Sequence, residues 1–283
     1  MKNNITRKAI IVGAPGGGHT KYLPGVLPDI AAVPEFLRSS RGGRWHAHEI
    51  AVLNDPTAEE LVLTAQAACA DYLFIYFSGH GYTDAHSGSR MLCCKNGAVA
   101  DIALLQGRSP RMFLATDVCR TLLGEAIGSI PLPSGDYFDF TGEQSVAREI
   151  FDRAILDLPA GITILHSTRP GLKASDNRDG GVFTQALLHV GSHMVIGKGH
   201  QLVNIEQVLY HIPHVLAKRG NSQQPDLIRL SGNLNVPFAI AMPAPKEVEV
   251  QAHTNKIATS DNGEGGLLWA LGILVFAAFV INS

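Results

Sequence analysis

An unbroken row of apolar residues, Tyr72-Leu73-Phe74-Ile75-Tyr76-Phe77, constrains the fold of this chain more than any other stretch. A run this short, rich in aromatic side chains and closed by Ser78-Gly79-His80-Gly81, reads as a buried strand. Arg111-Met112-Phe113-Leu114-Ala115 reads as another and stops at Thr116-Asp117-Val118-Cys119-Arg120. Further strands are expected at Ala9–Gly13, His48–Leu53, Ile162–His166 and Pro237–Ala241. Between them lie helical patterns at about Asp29–Leu37, Thr57–Ala70, Glu143–Leu156, Gly181–Val190 and Ile205–Lys218. Asn54-Asp55-Pro56-Thr57 supplies one helix start, where Glu59 and Glu60 complement the positive end of the dipole. This alternation predicts an α/β domain on a mostly parallel six-stranded sheet.

His80 and Cys119 leave the ends of two such strands. In an open α/β sheet, ligands bind in the crevice beyond the carboxyl ends of the parallel strands, so adjacent strands would bring the two side chains into one cleft. That pairing suits nucleophilic catalysis. A free thiol has a pKa near ~8.5, and a neighbouring imidazole must take its proton before sulfur can attack a carbonyl carbon at neutral pH. Gly81 can turn its amide toward a developing oxyanion, and the Cys119 amide is expected at the start of a helix, where donors point outward. Singly, a buried Cys is a small hydrophobe and a buried His a satisfied polar group.

Taken in order, these residues resemble the caspase-like cysteine peptidases, the group of caspases, metacaspases and their bacterial relatives. The likeness rests on Ser78-Gly79-His80-Gly81 and Asp117-Val118-Cys119-Arg120. Leu23 to Ile30, running on to Phe36-Leu37 after the Ile10-Ile11-Val12-Gly13 strand, resembles the family's first helix. Ser167-Thr168-Arg169-Pro170-Gly171 and Asp179 to Leu187 resemble the strand, specificity loop and helix after the nucleophile. Gln224-Pro225-Asp226-Leu227 and Pro237-Phe238-Ala239-Ile240 resemble its closing segment. The resemblance covers roughly residues 8 to 242 and implies a three-layer sandwich, a Cys119–His80 dyad, and a protein or peptide substrate. By analogy it also implies a role in microbial regulated cell death or defence. It leaves a calcium requirement, activating cleavage near Gly128–Tyr137, an activating partner and self-association open.

Departures from the family pattern carry information. Caspases read Q-A-C-[RQG]-G around the nucleophile; here Asp117 takes the glutamine's place, as in metacaspases, and Thr121 the final glycine's. A carboxylate there attracts a cation, so the likeness implies a pocket for arginine or lysine before the scissile bond. Asp176 falls near the position from which caspases project a pocket arginine, and reversing that sign would favour basic substrates. In its polar run, Ala174 to Asp179, Asp176 has the ordinary alternative of a solvated loop carboxylate. His80 and Cys119 also lie closer together than the ~50 residues typical of caspases. The intervening Asp84, His86, Cys93 and Cys94 lack zinc-ligand spacing, and neither metal nor cofactor is expected. Gly13 to Thr20 approaches a phosphate-binding loop, but His19 stands at the lysine position, which points to a rim of the cleft.

Net charge is −2 over 283 residues, with no basic stripe carrying interleaved aromatics, so nucleic acid is not an expected partner. Cys69, Cys93, Cys94 and Cys119 do not make a disulfide framework and fit a reducing cytoplasm. The first residues pass straight into a strand, leaving no room for a signal peptide. Residues 1–242 read as the peptidase domain and 243–266 as a Pro/Gly-rich linker. Residues 267–283, Leu267 to Ile281 above all, are apolar on every side. Counted from Gly265, the run spans roughly 25 Å as a helix, enough for a transmembrane anchor at the lower limit. Trp269 suits an interfacial position. The expectation is a membrane-tethered, cytoplasmic cysteine endopeptidase cleaving after Arg or Lys. The alternative is a catalytically silent peptide-binding module whose membrane segment is the effector.

Overall fold

The structure, a computed structural model, describes residues 5–17, 20–119, 144–196, 199–232 and 235–243. The strands are β1 (Arg7–Ala14), β2 (Ile50–Asn54), β3 (Tyr72–Gly79), β4 (Gly81–Thr83), β5 (Arg90–Cys94), β6 (Gly97–Ala100), β7 (Arg111–Asp117), β8 (Gly161–His166), β9 (Asp176–Asn177), β10 (Gly180–Gly181), β11 (Val195–Ile196), β12 (Gln201–Asn204), β13 (Asp226–Ser231) and β14 (Pro237–Pro243). The helices are α1 (Val26–Arg38), α2 (Ala58–Ala67), α3 (Gln144–Asp157), α4 (Val182–His193) and α5 (Ile205–Lys218). Short 3₁₀ turns occupy Ala47–Glu49 and Asp101–Leu105.

Six strands form the central sheet in the order β13-β8-β7-β3-β1-β2. All neighbours are parallel except β13, which runs antiparallel to β8. Every residue of β3 is buried, as its apolar run requires. Alternation then sorts side chains into two cores, one on each face of the sheet. Ala9, Ile11, Tyr72, Phe74, Tyr76, Phe113 and Ala115 pack with α1, α3, α4 and α5. Ile10, Val12, Leu73, Ile75, Phe77, Met112 and Leu114 pack with α2, with Leu92 of β5 and Val99 of β6, and with the 101–105 turn. Burying a large apolar side chain is worth about 1.5–3 kcal/mol, so this partition fixes the register of each central strand.

The sheet has six strands as expected, but its membership differs. Pro237–Pro243 pairs with β11 and β12 in a separate small sheet, while β13, unforeseen in sequence, forms the antiparallel edge. Its side chains are half-buried or exposed, so no apolar run marks it. The stretch after His80 folds into the meander β4-β5-β6, for which no strand was expected. The helix after Cys119, the loop Gly128–Tyr137, His19, the linker beyond Pro243 and the apolar tail 267–283 lie outside the described residues. Among the described residues no helix is long and apolar enough to cross a membrane.

Candidate active site

From the edge at β2 the sheet runs through β1 to β3, β7 and β8, so successive connections leave β1 in opposite directions and open a crevice at its carboxyl end. The last register pair of β3 and β7 is Ser78 with Asp117. His80 and Cys119 each stand two residues past it on adjacent parallel strands, leaving the sheet at the same level.

His80 sits between β3 and β4. Its backbone carbonyl accepts from Cys93 N of β5 at 3.0 Å, which fixes the turn. Its ring Nε2 lies 2.5 Å from the Lys21 carbonyl oxygen. A carbonyl only accepts, so Nε2 carries a proton, and in the neutral tautomer this selects, Nδ1 holds the lone pair. The glycine-rich segment after β1 makes this possible. Gly16 has φ +76°, and a Cβ there would lie 2.9 Å from His80 Cδ2 and 2.7 Å from Thr20 Oγ1. Of the segment Gly13 to Thr20 expected to rim the cleft, Gly16 lies against the imidazole, while Gly18 and His19 fall outside the described residues.

Cys119 is half-buried, and its thiol donates to the Ala174 carbonyl at 3.5 Å. Burial pushes this thiol up from its ordinary range; the charges of Asp117 and Asp176 push it further, against Lys173. The thiol is therefore the favoured form of Cys119 at neutral pH.

Asp117 is buried at the end of β7, and its Oδ2 accepts from Thr184 N at 3.1 Å and Thr184 Oγ1 at 2.7 Å. Burial raises it to about 6, Thr184 pulls the other way, and Asp176 adds to the rise. Beside it lies a carboxylate that sequence reasoning missed, Asp29 in the first turn of α1. Asp29 is 2 % exposed; Oδ2 accepts from Ser78 Oγ at 2.6 Å and Oδ1 from Gly181 N at 2.9 Å. Burial first, then the Asp117 charge, holds it well above the usual carboxylate range. An isolated acid in the apolar row Val26 to Val33 was the available signal. Asp176, on β9, is half-buried and accepts from Gly25 N at 3.4 Å. Among the described residues none of the three acids is in a salt bridge.

Gly81 opens β4 opposite Leu92, so close to Val118 that a Cβ would lie 2.9 Å from its side chain. It therefore borders the segment that carries Cys119. Cys93 and Cys94 lie on β5, where burial raises both thiols, Cys94 to about 11. Among the described residues no group of three or more His, Cys, Asp or Glu could hold a metal ion.

The profile of the caspase domain matches residues 6–234. Among solved structures, the chain is similar to caspase-1 from Spodoptera frugiperda, with 17% identity, a TM-score of 0.50, and coverage of 80% of this chain and 89% of that one. That likeness is one of fold. No curated protein sequence matches the chain. With the profile spanning the sheet, the crevice and the acids around it, this chain belongs to the caspase-like cysteine peptidase family.

Proposed function

We propose that the protein is a cysteine endopeptidase that cleaves peptide bonds after arginine or lysine. The observation that carries this reading is the trio Asp29, Asp117 and Asp176 gathered around Gly181, none of them in a salt bridge among the described residues. Buried carboxylates that repel one another are costly unless a positive group neutralises them, and a guanidinium or ammonium entering from the cleft does so.

In this reading the Cys119 thiol gives its proton to Nδ1 of His80 as sulfur attacks the substrate carbonyl carbon. The Gly81 and Cys119 amides hold the oxyanion. The tetrahedral adduct collapses to a thioester as His80 returns the proton to the departing amine. Water, deprotonated by His80, then releases the carboxylic acid and restores the thiol. Lys21 orients the imidazole through the bond to Nε2. The apolar segment 267–283 would tether the enzyme to a membrane and concentrate it near substrates there. A role in regulated cell death or defence rests on family resemblance alone.

The test uses full-length protein and peptides that vary only before the scissile bond. Arg and Lys peptides should be cleaved, Asp peptides not, and Cys119→Ala should abolish turnover. Wild type and Cys119→Ala equally inactive on every peptide would overturn this in favour of a silent peptide-binding module. That second reading draws on the burial of the Cys119 thiol, which pushes its pKa up. Membrane fractionation with and without residues 267–283 tests the tether; equal partition would remove it.

A further inference from the structure

We infer that Tyr76 and Thr184 form a buried hydrogen-bond relay that keeps Asp117 in its carboxylate form, and that this relay tunes the preference of the cleft for cationic side chains. The inference rests on the peptidase reading above and names two residues that reading does not use.

The relay has a direction that follows from counting protons. Thr184 N can only donate, so Asp117 Oδ2 accepts at 3.1 Å. Thr184 has a single hydroxyl proton, given to the same Oδ2 at 2.7 Å. Its oxygen can then only accept in the 2.5 Å contact with Tyr76 Oη, which makes the phenol the donor. Tyr76 polarises Thr184, and Thr184 becomes a stronger donor to Asp117. Tyr76 and Thr184 are both essentially inaccessible to solvent, so water cannot substitute for either. Burial and the acids nearby hold the phenol protonated.

Elements around the cleft contribute the other groups that face Asp117. Asp29 comes from α1, Asp176 from β9, Ser167 from the end of β8, and Cys119 from beyond β7 itself. Burial and the Asp176 charge oppose ionisation of Asp117, while the Thr184 and Ser167 hydrogen bonds favour it. Thr184 stands in the first turn of α4, whose positive end adds to the same effect. β3 thereby serves both buried acids from one face, Ser78 donating to Asp29 and Tyr76, which also hydrogen-bonds with Asp29, acting on Asp117 through Thr184.

The experiment follows kcat/KM for an arginine peptide between pH 5 and 9 in wild type, Tyr76→Phe, Thr184→Val and Thr184→Ser. The acid limb should move up by about half a pH unit in Tyr76→Phe and by about one unit in Thr184→Val, which removes the hydroxyl donor at position 184 and keeps the backbone one. Thr184→Ser retains the hydroxyl and should restore the wild-type limb. A purely structural role would lower the whole profile without moving the limb, and that result in both variants overturns the relay. Should Thr184→Val fail to fold, Tyr76→Phe decides alone. Benzamidine, an amidinium mimic of the arginine side chain, gives a second readout when its binding to Cys119→Ala forms is titrated against pH. A limb shift in benzamidine binding without peptide turnover would preserve the relay and sink the peptidase reading. Turnover with an unmoved limb would do the reverse.

Discussion

Asp29 and Asp117 press on the same glycine: a Cβ built on Gly181 would lie 2.2 Å from Asp117 Oδ2 and 3.0 Å from Asp29 Oδ2. Only hydrogen at that position leaves room for both carboxyls, and the Gly181 amide holds Asp29 in place. Asp117→Asn is a clean isostere, because the amide oxygen can take both Thr184 bonds and turn only the NH2 toward the cleft. It should lower kcat/KM for arginine peptides by about 10- to 100-fold, chiefly through KM, since a hydrogen bond to a charged partner is worth about 1.5–3 kcal/mol. Gly181→Ala should cause a loss of similar size by displacing the carboxyl. Steady-state kinetics on arginine and lysine peptides checks both.

The raised carboxyls also tie stability to pH with a definite sign. Asp117 moves from 3.8 in the unfolded chain to about 6 in the folded one, so the folded state favours its neutral form. Well below pH 3.8 the group is protonated in both states and contributes nothing. As pH rises from about 4 to 6, the unfolded chain ionises first and stability falls, by roughly 3 kcal/mol once both are charged. Asp117→Asn should therefore unfold at higher denaturant than wild type at pH 8, with the gap closing by pH 4. Benzamidine should raise the melting temperature of wild type more at pH 8 than at pH 5. Equal gaps at the two ends would refute this assignment.

At Gly16 the prediction concerns kcat. With φ +76° and a Cβ position 2.9 Å from His80 Cδ2, Gly16→Ala strains the turn and pushes the ring away from the Lys21 carbonyl. His80 then loses the bond that selects its tautomer. Turnover should fall by at least about tenfold while KM for arginine peptides changes little, because the acids lie elsewhere. A variant with unchanged kcat would show that the Lys21 bond does not orient the base.

How far the chain could be read from its residues depended on how many neighbours each signal needed. Tyr72–Phe77 and Arg111–Ala115 were legible because strands buried on both faces write their environment as an apolar run, and the reactive residues follow directly. Ile205–Lys218 matched to the residue, since Asn204 and Gln207 cap each other locally. β13 was invisible because its place is dictated by pairing with β8, whose residues lie about sixty positions earlier in the chain, as Asp226 opposite His166 shows. Asp29 and Thr184 escaped notice for a related reason. Each gains its meaning from a carboxylate more than sixty residues distant, which no local pattern records.

Cys119 supplies the last test, through its reactivity. Burial pushes its thiol up, and the charges of Asp117 and Asp176 add to that, so little of it is thiolate at neutral pH. Alkylation by iodoacetamide should accordingly be slow, since the thiolate is the attacking form. A cation bound among the acids offsets two of the three influences that keep sulfur protonated. Benzamidine, too short to cover the sulfur as a full peptide would, should then speed alkylation of Cys119 at pH 7 by several-fold, and the gain should vanish in Asp117→Asn. The exposed Cys69 serves as the internal reference, its rate unchanged by benzamidine. Simple protection of Cys119 would instead mean that the ligand lies over the nucleophile rather than among the carboxylates.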